Sequence, residues 1–162
     1  MQFKSLAGLL LASAIVGAAP ASVAMMSTDP APTAKSRTYE EAERAVKAKD
    51  YAKAIPLLQK ALMDDSKDAD ANNLLGYSYR KTGNAQSAMA YYQRALQLNP
   101  NHKGANEYLG QLYVELKDLP KAEERLAKLA QLCPPATCEE YRDLKQSIDQ
   151  AKAGGTAPRT GS

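Results

Sequence analysis

The sequence predicts an all-α fold, an array of three consecutive helix pairs closed by one further helix. Three observations carry that reading. The chain is self-similar when shifted by 34 residues. Within each unit, apolar residues recur at spacings of three and four, which places them on one helical face. Glycine, asparagine, aspartate and proline punctuate the units at matching places. With 44% hydrophobic and 24% charged residues in 162, the composition suits a single folded domain with tails.

Taken in order, the first element is a targeting segment. Lys4 precedes an uncharged apolar run from Leu6 to Ala19, and small residues follow at Ser22 and Ala24. This is the layout of a signal peptide over residues 1–24, cut after Ala24. An uncleaved membrane anchor is the alternative, because the uncharged stretch continues to Met26 and spanning a bilayer takes about 20 residues. Cleavage would leave no stable membrane insertion and a periplasmic or secreted chain close to neutral. No cysteine lies near the cut, which argues against a lipoprotein signal. Residues 25–37, with Pro30 and Pro32 among small polar residues, read as a flexible linker.

The folded part is expected over residues 38–152, with units at about 35–68, 69–102 and 103–136 and a covering helix at 137–152. The second unit is clearest. Ala71, Leu74, Leu75, Ser78 and Tyr79 share one face of its first helix, and Ala88, Tyr91, Tyr92, Ala95 and Leu96 one face of its second. Gly83-Asn84 separates the two, and Asn99-Pro100 ends the unit, since a residue before proline avoids helical geometry. The shift pairs Leu75-Gly76 with Leu109-Gly110, Tyr79 with Tyr113, and Ala88 with Ala122 in the third unit. In the first unit it pairs Ala88 with Ala54 and Asn84 with Asp50. Asp50, Asn84 and Asp118 are placed to cap the second helices. Pro120 falls in a first turn, where proline costs little. Pro56 either kinks its helix or marks a later start. In the covering helix Thr137 and Glu140 have capping-box spacing, and Tyr141, Leu144, Ile148 and Ala151 form one apolar stripe. Residues 153–162 read as a disordered tail.

The run Asn72-x2-Leu75-Gly76-x2-Tyr79, followed by Ala88-x3-Tyr92, Ala95 and Pro100, resembles the tetratricopeptide repeat (TPR) family, with Asn72 at a position where tryptophan is usual. The third unit has Leu126 where an aromatic is usual. The first has Glu41-Ala42 for Leu-Gly and Ser66 for proline. The resemblance implies a short right-handed superhelix whose first helices line a concave surface that binds a protein or peptide. Carried onto this chain, the groove positions are Tyr39 and Glu43 in the first unit and Asn73, Tyr77, Arg80 and Lys81 in the second. In the third they are Glu107, Tyr108 and Gln111. Tyr39 and Glu43 stand where relatives that clamp a C-terminal carboxylate have lysine and asparagine, so that ligand is not expected. Function and stability should separate on this face, with Tyr77 exposed and Leu75, Gly76 and Tyr79 turned into the packing.

Cys133 and Cys138, spaced Cys-x4-Cys, read as a disulfide tying the covering helix to the last repeat, as an exported chain favours. A redox pair, a zinc site with His102 and free thiols are the competing readings. Little else could support catalysis. His102 is the single histidine and reads as an exposed loop side chain. The adjacent acid pairs Glu40-Glu41, Asp64-Asp65, Glu123-Glu124 and Glu139-Glu140 diverge around a helix rather than sharing a site. Gly154-Gly155 has no strand before it. A net charge of +3 with no dense basic face does not call for nucleic acid. The expectation is a scaffold or adaptor without cofactor, metal or catalysis. A small-ligand-binding protein with stacking tyrosines is the second reading, and an enzyme the third.

Overall fold

In the computed structural model, residues 35–134 and 137–154 are described. The expected signal segment, most of the linker and most of the tail lie outside the described residues. Seven helices occupy the described residues: α1 (Arg37–Lys47), α2 (Tyr51–Asp64), α3 (Ala69–Lys81), α4 (Ala85–Leu98), α5 (Lys103–Glu115), α6 (Leu119–Leu132) and α7 (Glu139–Lys152). All fall in one unit, Ala34–Ser162. The helices pair as α1–α2, α3–α4 and α5–α6, and α7 packs on α5 and α6.

The repeat is visible in the backbone. Lys49, Gly83 and Lys117, at the same place in each unit, have φ of 61°, 84° and 62°. That left-handed residue reverses the chain and hands it to the next helix. Asp50, Asn84 and Asp118 then cap α2, α4 and α6 by accepting from the N–H groups of Lys53, Ser87 and Lys121. Glycine adopts this geometry freely, whereas a lysine pays about 1–2 kcal/mol in steric strain. Pro120 sits at the start of α6 as expected. Pro56 lies inside an α2 that begins at Tyr51, so it does not mark a later start.

Each helix pair solves its close approach differently. A Cβ on Gly76 would lie 2.7 Å from the Tyr92 ring and 3.2 Å from the Ala88 carbonyl, so the second repeat combines no side chain with a large one. In the first repeat Ala42 and the smaller Leu58, both 0% exposed, occupy the corresponding places. In the third, a Cβ on Gly110 would collide with Leu144 of α7. Leu144 thus fills the space that Tyr92 fills in the second repeat, which accounts for Leu126 standing where an aromatic is usual.

Three expectations are corrected. Helix α1 begins at Arg37 with Ser36 as its cap, its Oγ accepting from the Tyr39 N–H, so order reaches into the end of the expected linker. The Thr137–Glu140 capping box does not form. Helix α7 starts one residue later, with Cys138 at the cap position and no side-chain hydrogen bond there, because cysteine offers no oxygen acceptor. His102 is not an exposed loop residue. Its side chain is 12% exposed, and it caps α5 with Nδ1 accepting from the Ala105 N–H at 3.1 Å.

Candidate functional site

The first helices stand side by side, with α3 touching both α1 and α5. The residues expected to line their shared face differ in burial. Tyr39 is buried, and Glu43, Tyr77, Lys81 and Tyr108 are half-buried. Asn73, Arg80, Glu107 and Gln111, expected to line an open groove, are buried, at 6%, 9%, 7% and 3% exposed. Adjacent repeats lie close enough to enclose any side chain pointing along the seam between their first helices.

Along this seam runs a row of tyrosines. Tyr51 of α2 meets Tyr77 edge-on at 5.8 Å between centroids, Tyr77 meets Tyr108 at 4.9 Å, and Tyr108 meets Tyr92 at 6.2 Å. Burial pushes the Tyr108 hydroxyl pKa up to about 12, with the negative charge of Glu107 adding to it. Lys81 Nζ stands 5.4 Å over the Tyr77 ring. Tyr51 carries no first-helix signal and was missed by sequence reasoning. Its place directly after the Asp50 cap, at the start of α2, is the only clue.

Arg80 links the second and third repeats. Its Nε donates to Glu115 Oε1 at 3.0 Å and its Nη2 lies 2.9 Å from the same oxygen. Asn73 Oδ1 is buried without a hydrogen-bond partner among the described residues, whereas Arg80 and the equally buried Tyr92 hydroxyl interact with each other. Buried polar atoms are normally satisfied, so such a group marks a place where a ligand or ordered water completes the structure. Gly104 makes room for Asn73, whose Nδ2 would be 3.3 Å from a Cβ at that position.

At the other edge of the face the charges are paired. Lys35 lies 2.7 Å from Asp68 and 2.9 Å from Asp70, and Asp70 Oδ1 is 3.0 Å from His102 Nε2. Lys35 Nζ also stands 4.6 Å over the Tyr39 ring. Both ring nitrogens of His102 are engaged, Nδ1 as a helix cap and Nε2 with Asp70. The residue therefore has no free nitrogen for a metal or for proton transfer. Cys133 and Cys138 are joined, with sulfurs 2.13 Å apart. Glu140 lies near them, its oxygen within 4.8 Å of the sulfurs, but bonded sulfurs are not thiolate ligands. A hollow of about 390 Å³ lies at the α1–α2 turn, lined by Glu41, Arg44, Ala45, Ala48, Asp50 and Lys53. Among the described residues no helix is long and apolar enough to cross a membrane.

Stacked helix pairs with a polar and aromatic first-helix face define a helical-repeat protein. Two models of the tetratricopeptide repeat match residues 39–103 and 79–148, and the chain belongs to that family. It is 41% identical over 64 residues to the uncharacterized protein ycf37 of Pyropia yezoensis, covering 40% of this chain and 36% of that protein. The chain thus spans about a third of the length of this curated relative. Solved structures share the fold. The first TPR of Spaghetti (RPAP3) bound to the HSP90 peptide SRMEEVD matches with a TM-score of 0.64 at 21% identity, covering 72% of this chain and 90% of that one. The TPR2B domain of yeast Sti1, solved in a complex with pHsp70, matches at 0.63 and 19%, covering 74% and 99%. The Yersinia enterocolitica type III secretion chaperone SycD, in complex with a peptide of the translocator YopD, matches at 0.61 and 17%, covering 72% and 88%.

Proposed function

We propose that this protein is a non-catalytic adaptor that binds an extended segment of a partner protein along the face formed by α1, α3 and α5. The observation that carries the reading is the buried, unpartnered Asn73 Oδ1 on α3, beside the half-buried Tyr77 and Tyr108. An extended peptide offers a backbone N–H to the former and side chains to the latter. Peptide complexes of structurally similar TPR domains support the same use of the fold.

We also place the protein in the periplasm or cell envelope, on the strength of the signal-like residues 1–24 and the cysteine pair. The native N-terminus should be Met25, and a mature chain found in the cytosol with Met1 intact would overturn this placement. For the face itself, the test is photo-crosslinking in a cell-envelope extract from a reactive residue replacing Tyr77, with one replacing the exposed Gln93 of α4 as control. Discrete products from position 77 and none from position 93 are expected. Equal labelling from both would remove the face as the site.

A further inference from the structure

The α5–α7 end of the face carries more negative charge than the fold needs. Glu107 is 7% exposed, with Gln111 Nε2 donating to its Oε1 at 2.7 Å. Burial pushes its pKa up to about 8, and Asp143, Glu140 and Glu139 of α7 push the same way. Arg80 of α3 opposes them, but its guanidinium is held by Glu115. Tyr92 of α4 brings only a hydroxyl, and Arg125 of α6 turns to Asn106 Oδ1 at 3.4 Å. No lysine or arginine lies within 4.0 Å of any of these four carboxylates among the described residues. Glu139 and Glu140 have a local reason to be acidic, because they occupy the first turn of α7, where the helix dipole favours negative charge. Asp143 and Glu107 have none.

A second, independent observation points to a ligand at the same place. Asn73 Oδ1 is buried without a partner among the described residues. Asn73 touches Gly104, one turn before Glu107 on α5, and the charge of Arg80 acts on both Glu107 and Tyr108. The unpaired acids and the unpartnered Asn73 Oδ1 therefore border one region.

Building on the proposed peptide-binding role, we infer that this end of the face takes a lysine or arginine side chain of the bound segment. Asn73 Oδ1 accepts a peptide N–H. The aliphatic stem lies against Tyr108, and the cationic head reaches Glu107, Glu140 and Asp143. A cation there favours the ionised form of Glu107, so binding releases a proton to solvent wherever free Glu107 is protonated.

The test uses the full chain and a positional-scanning library of nine-residue peptides with blocked ends. Lysine and arginine should be enriched at one position. A selected peptide should bind at least tenfold more weakly to Glu107→Gln and to Glu140→Gln/Asp143→Asn, but not to Lys53→Gln on the outer side. Its affinity should rise by up to tenfold per pH unit up to about pH 8 and then level off. Calorimetry in buffers of different ionisation enthalpy should report proton release. Peptides whose binding is lost in Tyr77→Ala, yet which show no basic preference or no proton release, would overturn this inference and leave the peptide-binding face standing. A library yielding no peptide sensitive to Tyr77→Ala would overturn the face itself.

Discussion

The two ends of the first-helix face handle charge in opposite ways. At the α1–α3 end, Asp68 and Asp70 are met by Lys35, and His102 completes the set. At the α5–α7 end, Glu107, Glu139, Glu140 and Asp143 gather, and Arg80, which opposes them, is already held by Glu115. The first arrangement is self-sufficient and joins the repeats. The second costs the folded chain free energy, because a buried carboxyl without a counter-charge is held near neutrality rather than ionised. Burial alone thus does not separate a joint from a binding site. Whether the buried charge is already answered within the chain does.

The largest effect should come from detaching the acidic wall. Gly110→Leu drives a side chain into Leu144, with the Arg125 Cβ only 3.2 Å from the new Cβ. Overpacking of this kind costs about 3 kcal/mol. Melting should fall steeply and α7 should become sensitive to protease, while the Tyr39 ring resonances at the other end stay unchanged. Loss of both ends together would show that they form one cooperative unit.

Next is the cysteine pair, which anchors α7 from its first residue. Cys138→Ser should destabilise by about 2 kcal/mol on the loop-entropy estimate. Alkylation of the native protein without reductant should label neither cysteine. Full labelling would mean that α7 is held by packing alone.

The pH response of the acidic end follows from Glu107. Its folded pKa of about 8 lies above the ordinary 4.5, so the folded state holds this proton more tightly than the unfolded state. The contribution is intact below about pH 4.5 and is lost as pH rises through 8. Glu107→Gln removes the titration while its amide oxygen can still accept from Gln111. The variant should match the parent at pH 4 and be more stable by roughly 1–3 kcal/mol at pH 9. That range follows because each tenfold difference in proton affinity between folded and unfolded chains is worth about 1.4 kcal/mol, discounted here for partial exposure. Urea melts across this range read it directly, and a constant difference would place Glu107 in contact with solvent.

The sequence made the packing side of this fold legible because packing repeats. Leu75, Gly76 and Ala88 recur as Leu109, Gly110 and Ala122 in the third unit, and Ala88 also as Ala54 in the first, each turned into the packing. The face was legible only as a set of positions. Nothing in a 34-residue period says that Asn73, Arg80, Glu107 and Gln111 are enclosed by the neighbouring repeat, since enclosure depends on how closely α3 and α5 approach. His102 was misread for a related reason. Its capping role needs the α5 backbone, and its partner Asp70 lies 32 residues away. The Thr137–Glu140 spacing misled because the Cys133–Cys138 link puts Cys138 at the cap.

The turns supply a control, because they are alike at both ends. Lys49 and Lys117 hold φ of 61° and 62°, where Gly83 in the middle repeat holds 84°. Lys49→Gly and Lys117→Gly relieve steric strain and add unfolded-chain entropy, and the first effect should win by about 0.5–1 kcal/mol. Equal gains in melting temperature are expected. A gain at one end only would mean that the repeats differ in their backbone and not only in charge.

The smallest effect concerns the paired end. Lys35 is 39% exposed, so its ion pairs are screened by solvent, and Lys35→Ala should cost about 0.5 kcal/mol. The pH window is opposite to that of Glu107. Burial alone would raise the Asp70 pKa, but the hydrogen bond and charge of Lys35, with His102, outweigh it and bring it below 3.8. Asp70 therefore contributes stability above that value, and the contribution is lost as pH falls through the lowered pKa. Burial alone would lower the Lys35 pKa, but Asp68 and Asp70 outweigh it and hold it above 10.5, so its contribution is lost only in strong alkali. The Lys35→Ala penalty should be present at pH 7, shrink at pH 3 and fade in about 1 M salt, where the screening length is about 3 Å. Denaturation of parent and variant under those three conditions tests this. A penalty that persists in salt would place the stabilisation in the contact of Lys35 with the Tyr39 ring, making this end of the face a packing joint rather than an electrostatic one.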